Sequence, residues 1–106
     1  MSAARLRAVL EDCAAARRCV SYGALAAEIG LDGAGRIARL TTMLEALMEE
    51  DTAASRPLRA ALVLSRAGGG LPARGFFLKA AELGHDIGDP AAFHAAQISA
   101  LFARSG

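Results

Sequence analysis

The stretch VSYGALAAEIG at residues 20–30, followed closely by RIARL at residues 36–40, decides the fold of this chain. Ser21 is a typical helix N-cap residue, and Gly30 is typical of a helix end. Between them, apolar side chains recur at helical spacing, and they are Tyr22, Leu25, Ala26 and Ile29. The stretch therefore predicts one short helix, a glycine-rich turn and a second helix.

The first of these helices is predicted over residues 21–30 and the second over residues 33–50. The second helix has an apolar stripe that we expect to be buried, formed by Ile37, Leu40, Leu44, Leu47 and Met48. Arg36 and Arg39 lie in its first turns and are expected to face outward together, with Thr42 on the same exposed side. Two helices joined by a tight turn, with arginines opening the second, are typical of DNA-reading helix pairs.

Three further segments complete the prediction. Residues 3–17 carry apolar side chains at helical spacing and predict an amphipathic helix. Asp89-Pro90 predicts the start of a helix over residues 90–104, because aspartate is a good N-cap and proline suits the first helical position. Residues 58–78 are predicted as a strand, a glycine-rich loop and a possible return strand. Phe76-Phe77-Leu78 fits either that return strand or the start of a helix, and periodicity does not separate the two.

Together these elements predict a mainly α fold with a small β wing. The architecture is a winged helix-turn-helix plus an extra C-terminal helix, in a single domain spanning residues 1–106. In such folds the helix after the tight turn enters the major groove and the loop between the strands contacts the DNA backbone.

The distribution of charge is more informative than its sum. The net charge of +1 argues against a strongly electrostatic nucleic-acid binder. However, residues 52–81 hold five basic side chains and no acidic one, which allows a local basic surface. The acidic run at residues 49–51 opposes the dipole of the helix it ends, so we expect this end either to fray or to lie beside arginines, of which Arg56 and Arg59 are the nearest.

Reactive side chains form no catalytic or cofactor pattern. Cys13 and Cys19 are expected on different faces, which favours free thiols over a disulfide. With His85 and His94 they lack the spacing of structural zinc sites. The sequence therefore predicts no catalytic residues, no metal and no cofactor. Charge interrupts every apolar stretch, so we also expect a cytoplasmic protein without a targeting or membrane segment.

A family resemblance is carried by the motif YGxLAxxIG at residues 22–30, AGRI at residues 34–37, and the apolar run followed by a glycine-rich loop. Over residues 19–84 the chain resembles the C-terminal DNA-binding domain of alkylguanine-DNA alkyltransferases and alkyltransferase-like proteins. In that family the tyrosine of the first short helix and the arginine opening the recognition helix work at the DNA, the arginine filling the space left by a flipped nucleotide. By position, the resemblance implies these roles for Tyr22 and Arg36.

The resemblance does not extend to the chemistry of that family. Its reactive site is a Pro-Cys-His-Arg run before the wing loop, in which a thiolate activated by histidine accepts the alkyl group. The corresponding run here, residues 59–63, reads RAALV, with neither cysteine nor histidine. The polar pocket residues of alkyltransferase-like proteins are also missing from it. The resemblance therefore implies the scaffold and excludes alkyl transfer.

These observations predict a non-enzymatic DNA-binding or regulatory protein whose partner is double-stranded DNA. Arg66 and Arg74 flank the glycine loop and are expected on phosphates, while Tyr22 supports binding at the backbone. The candidate DNA-binding residues are Tyr22, Arg36, Arg39, Thr42, Arg66 and Arg74. The alternative is a protein-interaction module, such as an adaptor, an antitoxin-like or inhibitor protein, or a homodimer joined through the terminal helices. The near-neutral net charge favours this alternative.

Overall fold

A computed structural model describes residues 3–105 of the chain and shows a mainly helical fold with a small sheet. Within those residues the elements are α1 (Ala3–Ala15), β1 (Val20–Ser21), α2 (Tyr22–Glu28), α3 (Arg36–Ala53), a 3₁₀ helix (Arg59–Leu62), β2 (Val63–Leu64), α4 (Arg74–Glu82) and α5 (Pro90–Ser105). None of these helices combines the length and apolar character that a membrane span requires.

Local capping explains where the helices begin and end. The Ser21 hydroxyl accepts a hydrogen bond from the Ala24 N–H at 3.1 Å, which caps α2. The Asp89 carboxylate likewise accepts from the Ala92 N–H at 3.2 Å at the start of α5. Gly35 precedes α3 with a φ of 77°, a conformation that side-chain-bearing residues rarely adopt, so α3 starts three residues later than the sequence predicts.

The 3₁₀ helix lies at the centre of the molecule and packs against α1, α3 and α5. Three of its four residues are small or apolar and fully enclosed: Ala60, Ala61 and Leu62. The terminal helices α1 and α5 also pack on each other, and the apolar side chains Phe93, Ile98 and Phe102 lie against the core. Much of the apolar face of α5 is therefore used inside the molecule.

The prediction of a strand that begins at residue 58 is largely wrong. The chain forms a 3₁₀ helix at Arg59–Leu62, and only Val63–Leu64 forms a strand. Side chains from two neighbouring helices bind the backbone donors that a strand partner would have taken. The Leu58 N–H donates to Gln97 Oε1 at 2.8 Å, and the Arg59 N–H donates to Asp51 Oδ2 at 3.0 Å. A short apolar run enclosed on all sides has no periodicity that separates these conformations.

The sheet also differs from a β wing. β2 pairs with β1 in parallel, with Val20 opposite Val63 and Ser21 opposite Leu64. Residues 76–78 lie in α4, so the helical alternative is the observed one, and the loop at residues 65–73 joins a strand to a helix. Phe76 and Ala80, one turn apart, are the buried side chains that place α4 on the core. Across residues 3–105 there is consequently no antiparallel hairpin, and the winged-helix assignment is not confirmed.

An ionic cluster fixes the 3₁₀ helix to α1 and α3. It consists of three arginines and three carboxylates: Arg7, Arg56, Arg59, Glu11, Glu50 and Asp51. Asp51 is fully buried and accepts from Arg59 Nη2 at 2.7 Å and from Arg56 Nε at 3.2 Å. The expected position beside Arg56 and Arg59 is thus confirmed for Glu50 and Asp51, whereas Glu49 pairs with Lys79.

Candidate nucleic-acid interface

A cleft of about 700 Å³ opens where the first residues of α2 and α3 meet the end of β2 and the loop before α4. Its polar lining consists of Ser21, Tyr22, Arg36, Thr41, Ser65 and Arg66. The apolar side chains of its lining are Ala24, Ile37, Leu64 and Ala73. No carboxylate is among the lining residues. Side chains from four separate parts of the chain therefore meet around one positively charged space.

The hydroxyl groups of the cleft are held in place by the backbone. The Tyr22 phenol oxygen accepts a hydrogen bond from the Ala73 N–H at 3.1 Å, which ties the loop before α4 to α2. Burial raises the pKa of this phenol, so it remains protonated at neutral pH and keeps its own O–H as a donor. The Thr41 hydroxyl, unlike the Tyr22 hydroxyl, uses its proton within the protein, because it donates to the Ile37 carbonyl at 2.9 Å.

Arg36 and Arg66 supply the positive charge of the cleft. Arg36 is the first residue of α3 and Arg66 follows β2 by two positions. Both side chains are exposed, and neither forms a hydrogen bond or ion pair in the part of the chain that the structure describes. Two guanidinium groups that face a shared space, with no acid to balance them, favour an anionic ligand there.

The structure brings together three of the six candidate residues and places the others outside the cleft. Tyr22, Arg36 and Arg66 line it. Arg74 is exposed and opens α4 directly after Ala73, so it lies at the cleft's margin. Arg39 and Thr42 are also exposed; the Arg39 guanidinium donates to the Asp32 carbonyl and the Thr42 hydroxyl to the Ala38 carbonyl. Arg39 thus holds the turn between α2 and α3.

Sequence reasoning missed one apolar residue of the cleft and two of its hydroxyls. Ile37 was expected in the buried stripe of its helix, but it is 39% exposed and lines the cleft. It is the second residue of α3, and at that end the helix borders the cleft instead of the core. Thr41 and Ser65 were not singled out at all. The position of Ser65 directly before Arg66 is a signal that could have found it, whereas Thr41 follows Arg36 by five residues and has no such signal.

The segment at residues 52–81 presents fewer unpaired basic side chains than its sequence implies. Arg56 and Arg59 belong to the ionic cluster, and Lys79 pairs with Glu49 at 2.8 Å and with Glu82 at 2.9 Å. Arg66 and Arg74 alone of the five stay unpaired within residues 3–105. Within this basic segment, the side chains that remain available to an anion are therefore Arg66 in the cleft and Arg74.

The cysteines and histidines have structural environments. Cys13 and Cys19 are free thiols, as predicted, and burial raises the pKa of both. His94 is buried and its Nε2 donates to the Ala61 carbonyl at 2.9 Å, while His85 Nε2 lies 2.9 Å from the Thr52 hydroxyl. Among the residues that the structure describes, no three His, Cys, Asp or Glu side chains are grouped as a metal ion would need.

Comparisons with protein-family models, with curated proteins and with solved structures give no match to this chain. In the cleft, guanidinium and hydroxyl donors beside a short apolar wall, with no carboxylate among the lining residues, suit the binding of a phosphate-bearing ligand.

Proposed function

We propose that this chain is a non-enzymatic, winged-helix-like DNA-binding protein whose interface is the cleft and the start of α3. The observation that carries the proposal is the pair Arg36 and Arg66, which reach one cleft from separate elements and have no counterion within residues 3–105. Arg7, Arg56, Arg59 and Lys79, by contrast, all have carboxylate partners.

The roles proposed for individual residues follow from their positions. Arg36 opens α3, where a recognition helix presents its first side chains to the major groove. Arg66, near the start of the loop at residues 65–73, and Arg74, directly after it, contact phosphates. Tyr22 holds that loop through Ala73 and offers its phenol proton to the DNA backbone. Arg39 and Thr42 extend the contact along the exposed face of α3.

A scaffold like that of the alkyltransferase-like proteins, without their pocket chemistry, is part of the proposal. The sequence motif at residues 22–37 supports it, and the run at residues 59–63 that corresponds to the family's reactive site holds neither cysteine nor histidine. This run is buried in the 3₁₀ helix and the start of β2, and its one polar side chain, Arg59, is paired with carboxylates. The protein accordingly binds DNA without altering it covalently.

Salt dependence of binding tests the proposal. Fluorescence anisotropy with a labelled duplex of mixed sequence, measured from low to physiological salt, is expected to give a log–log slope of about −4. A variant with both Arg36→Ala and Arg66→Ala should make the slope less steep, from about −4 to about −2, and should weaken binding at each salt concentration. Arg104→Ala, which removes an exposed arginine on α5 outside the cleft, is the matched control and should leave the slope unchanged.

Two results would overturn the proposal. One is no binding of duplex DNA by the unaltered protein at low salt. The other is equal loss of affinity in the Arg36/Arg66 variant and in the Arg104 control, since general positive charge would then account for the binding.

A second function is favoured by one exposed apolar side chain. Leu78 on α4 is 58% exposed, and with Ile37 it is one of two large hydrophobic residues at the surface of the described chain. We infer that, if DNA does not bind, α4 contacts a protein partner through Leu78. Leu78→Ser would then abolish capture of that partner in a pull-down while Arg36→Ala would not.

A further inference from the structure

The cleft does not end at Arg66. A second depression of about 210 Å³ adjoins it and is lined by Cys19, Val20, Ser21, Leu64, Ser65 and Arg66. Four of these residues also line the cleft: Ser21, Leu64, Ser65 and Arg66. The two depressions therefore form one continuous groove that crosses the paired residues Ser21 and Leu64, with Arg66 bordering both parts.

Two further arginines precede the far end of this groove. Arg17 and Arg18 are exposed, come directly before Cys19, and form no side-chain ion pair within the part of the chain that the structure describes. Their backbone is fixed, because the Arg17 N–H donates to the Ala14 carbonyl at 3.1 Å and the Arg18 N–H to the Cys13 carbonyl at 3.0 Å. Like the cleft, the second depression has no carboxylate in its lining.

The conformation of Arg17 is unusual for its residue type. Its φ is 56°, the left-handed region that a helix usually reaches at its end with glycine or asparagine. A side chain with a β-carbon is less stable than glycine in this conformation. The chain thus keeps an unpaired, exposed cation where local conformation favours glycine.

We propose that the bound DNA strand follows the groove from the cleft past Arg66 to Arg17 and Arg18, which contact further backbone phosphates. This extension rests on the proposed function and adds a second phosphate-binding region at the opposite end of the sheet. Charge complementarity identifies the occupant: a groove whose lining holds no carboxylate, with exposed arginines at both of its ends, matches the regularly spaced charges of a phosphodiester backbone. Cys19 then lies beside the path of that strand.

Removing the two arginines tests the path by its effect on salt dependence. Arg17→Gly combined with Arg18→Ala deletes both charges, and glycine fits the left-handed backbone at position 17, so the fold is preserved. The magnitude of the log–log slope for a duplex should decrease by about two relative to that of the unaltered protein. Arg104→Ala again serves as the matched control, since it removes one exposed charge elsewhere.

Cys19 provides an independent readout of the same path. A duplex carries a thiol tether on one backbone phosphate, activated as a mixed disulfide. The Cys19 thiolate attacks the tether's sulfur, forms a protein–DNA disulfide and releases the activating thiol. In a Cys13→Ala background the crosslink should form, be competed by excess untethered duplex, and disappear with Cys19→Ser.

The outcomes separate the extension from the function on which it rests. In one outcome the salt slope becomes less steep for the Arg36/Arg66 variant, the Arg17/Arg18 variant behaves like Arg104→Ala, and Cys19 does not crosslink. The extension is then overturned, and DNA binding through the cleft stands. If the unaltered protein does not bind duplex DNA at all, both are overturned. Loss of slope in both variants, with a Cys19 crosslink, supports the complete groove.

Discussion

The arginines around the 3₁₀ helix and the arginines at the cleft occupy opposite environments. Arg59 is only 7% exposed and contacts three carboxylates, those of Glu11, Glu50 and Asp51. Arg36 and Arg66 are exposed and have no carboxylate partner within residues 3–105. The same residue type therefore stabilises the fold in one region and is available to a ligand in the other.

The difference has an energetic origin. Arg59 and Asp51 have lost most of their hydration, so each depends on the other for compensation of its charge. Arg36 and Arg66 keep their water and contribute little to stability, which leaves their charge to act on whatever enters the cleft. Stability and binding should consequently respond to different arginines, and substitutions can test that separation.

The largest effect is expected from breaking the buried pair. Arg59→Met retains the apolar part of the side chain but leaves the fully buried Asp51 carboxylate without its bidentate partner. We expect the free energy of unfolding to fall by about 3 to 5 kcal/mol, measured by urea denaturation at neutral pH.

The matched control for that substitution is Arg56→Met. Arg56 contacts the same Asp51 carboxylate, but its side chain is 35% exposed, so its removal should cost much less. Equal losses in the two variants, or a loss below about 0.5 kcal/mol for Arg59→Met, would contradict the distinction between buried and exposed arginines.

The pairing of the acidic run shows what the sequence can and cannot predict. Of the two outcomes that the dipole argument allowed, pairing with Arg56 and Arg59 is observed for Glu50 and Asp51, which are their neighbours along the chain and opposite in charge. Glu49 pairs instead with Lys79. The contribution of Arg7 to the same cluster depends on how α1 packs, which no local pattern contains. The 3₁₀ helix was missed for a related reason, since side chains of two other helices bind the backbone donors at its start: Gln97 binds the Leu58 N–H and Asp51 the Arg59 N–H.

The cleft was predictable only in part. Tyr22 and Arg36 are close in sequence and carry the motif at residues 22–37, so local reasoning found both. Arg66 was found from its place beside the glycine loop, although that loop leads into α4 and not into a return strand. Ile37 was assigned to the core because periodicity marks the face of a helix but not where its packing partner ends.

A smaller effect is expected from Tyr22→Phe. The substitution keeps the ring but removes the oxygen that accepts the Ala73 N–H, so the loop before α4 loses its tie to α2. The free energy of unfolding should fall by about 1 kcal/mol, and DNA affinity should fall as Arg66 and Arg74 lose their fixed positions. Hydrogen exchange of the Ala73 amide provides the direct measurement. An unchanged exchange rate would show that this bond does not hold the loop.

The pH dependence of stability separates the exposed part of the ionic cluster from its buried part. The Arg7 guanidinium bonds Glu50 and lowers the pKa of that carboxyl from its ordinary 4.5 to about 2. A depressed folded-state pKa contributes stability that is present above pH 4.5 and is lost as the pH falls toward 2. Glu50→Gln should therefore lower the melting temperature modestly at neutral pH, and the difference from the unaltered protein should vanish near pH 2. A constant difference across that range would contradict the linkage.

The smallest change in stability is expected for Arg36→Ala, and this is the most informative result for function. Arg36 is exposed at the first turn of α3 and has no partner within the described chain, so the free energy of unfolding should change by less than about 0.5 kcal/mol. DNA binding should nevertheless weaken, and the magnitude of its log–log salt slope should decrease by about one. Urea denaturation and fluorescence anisotropy on the same preparation give both quantities. A loss of stability as large as that of Arg59→Met would show that Arg36 is a structural residue, and it would contradict the proposal that Arg36 is available to a ligand in the cleft.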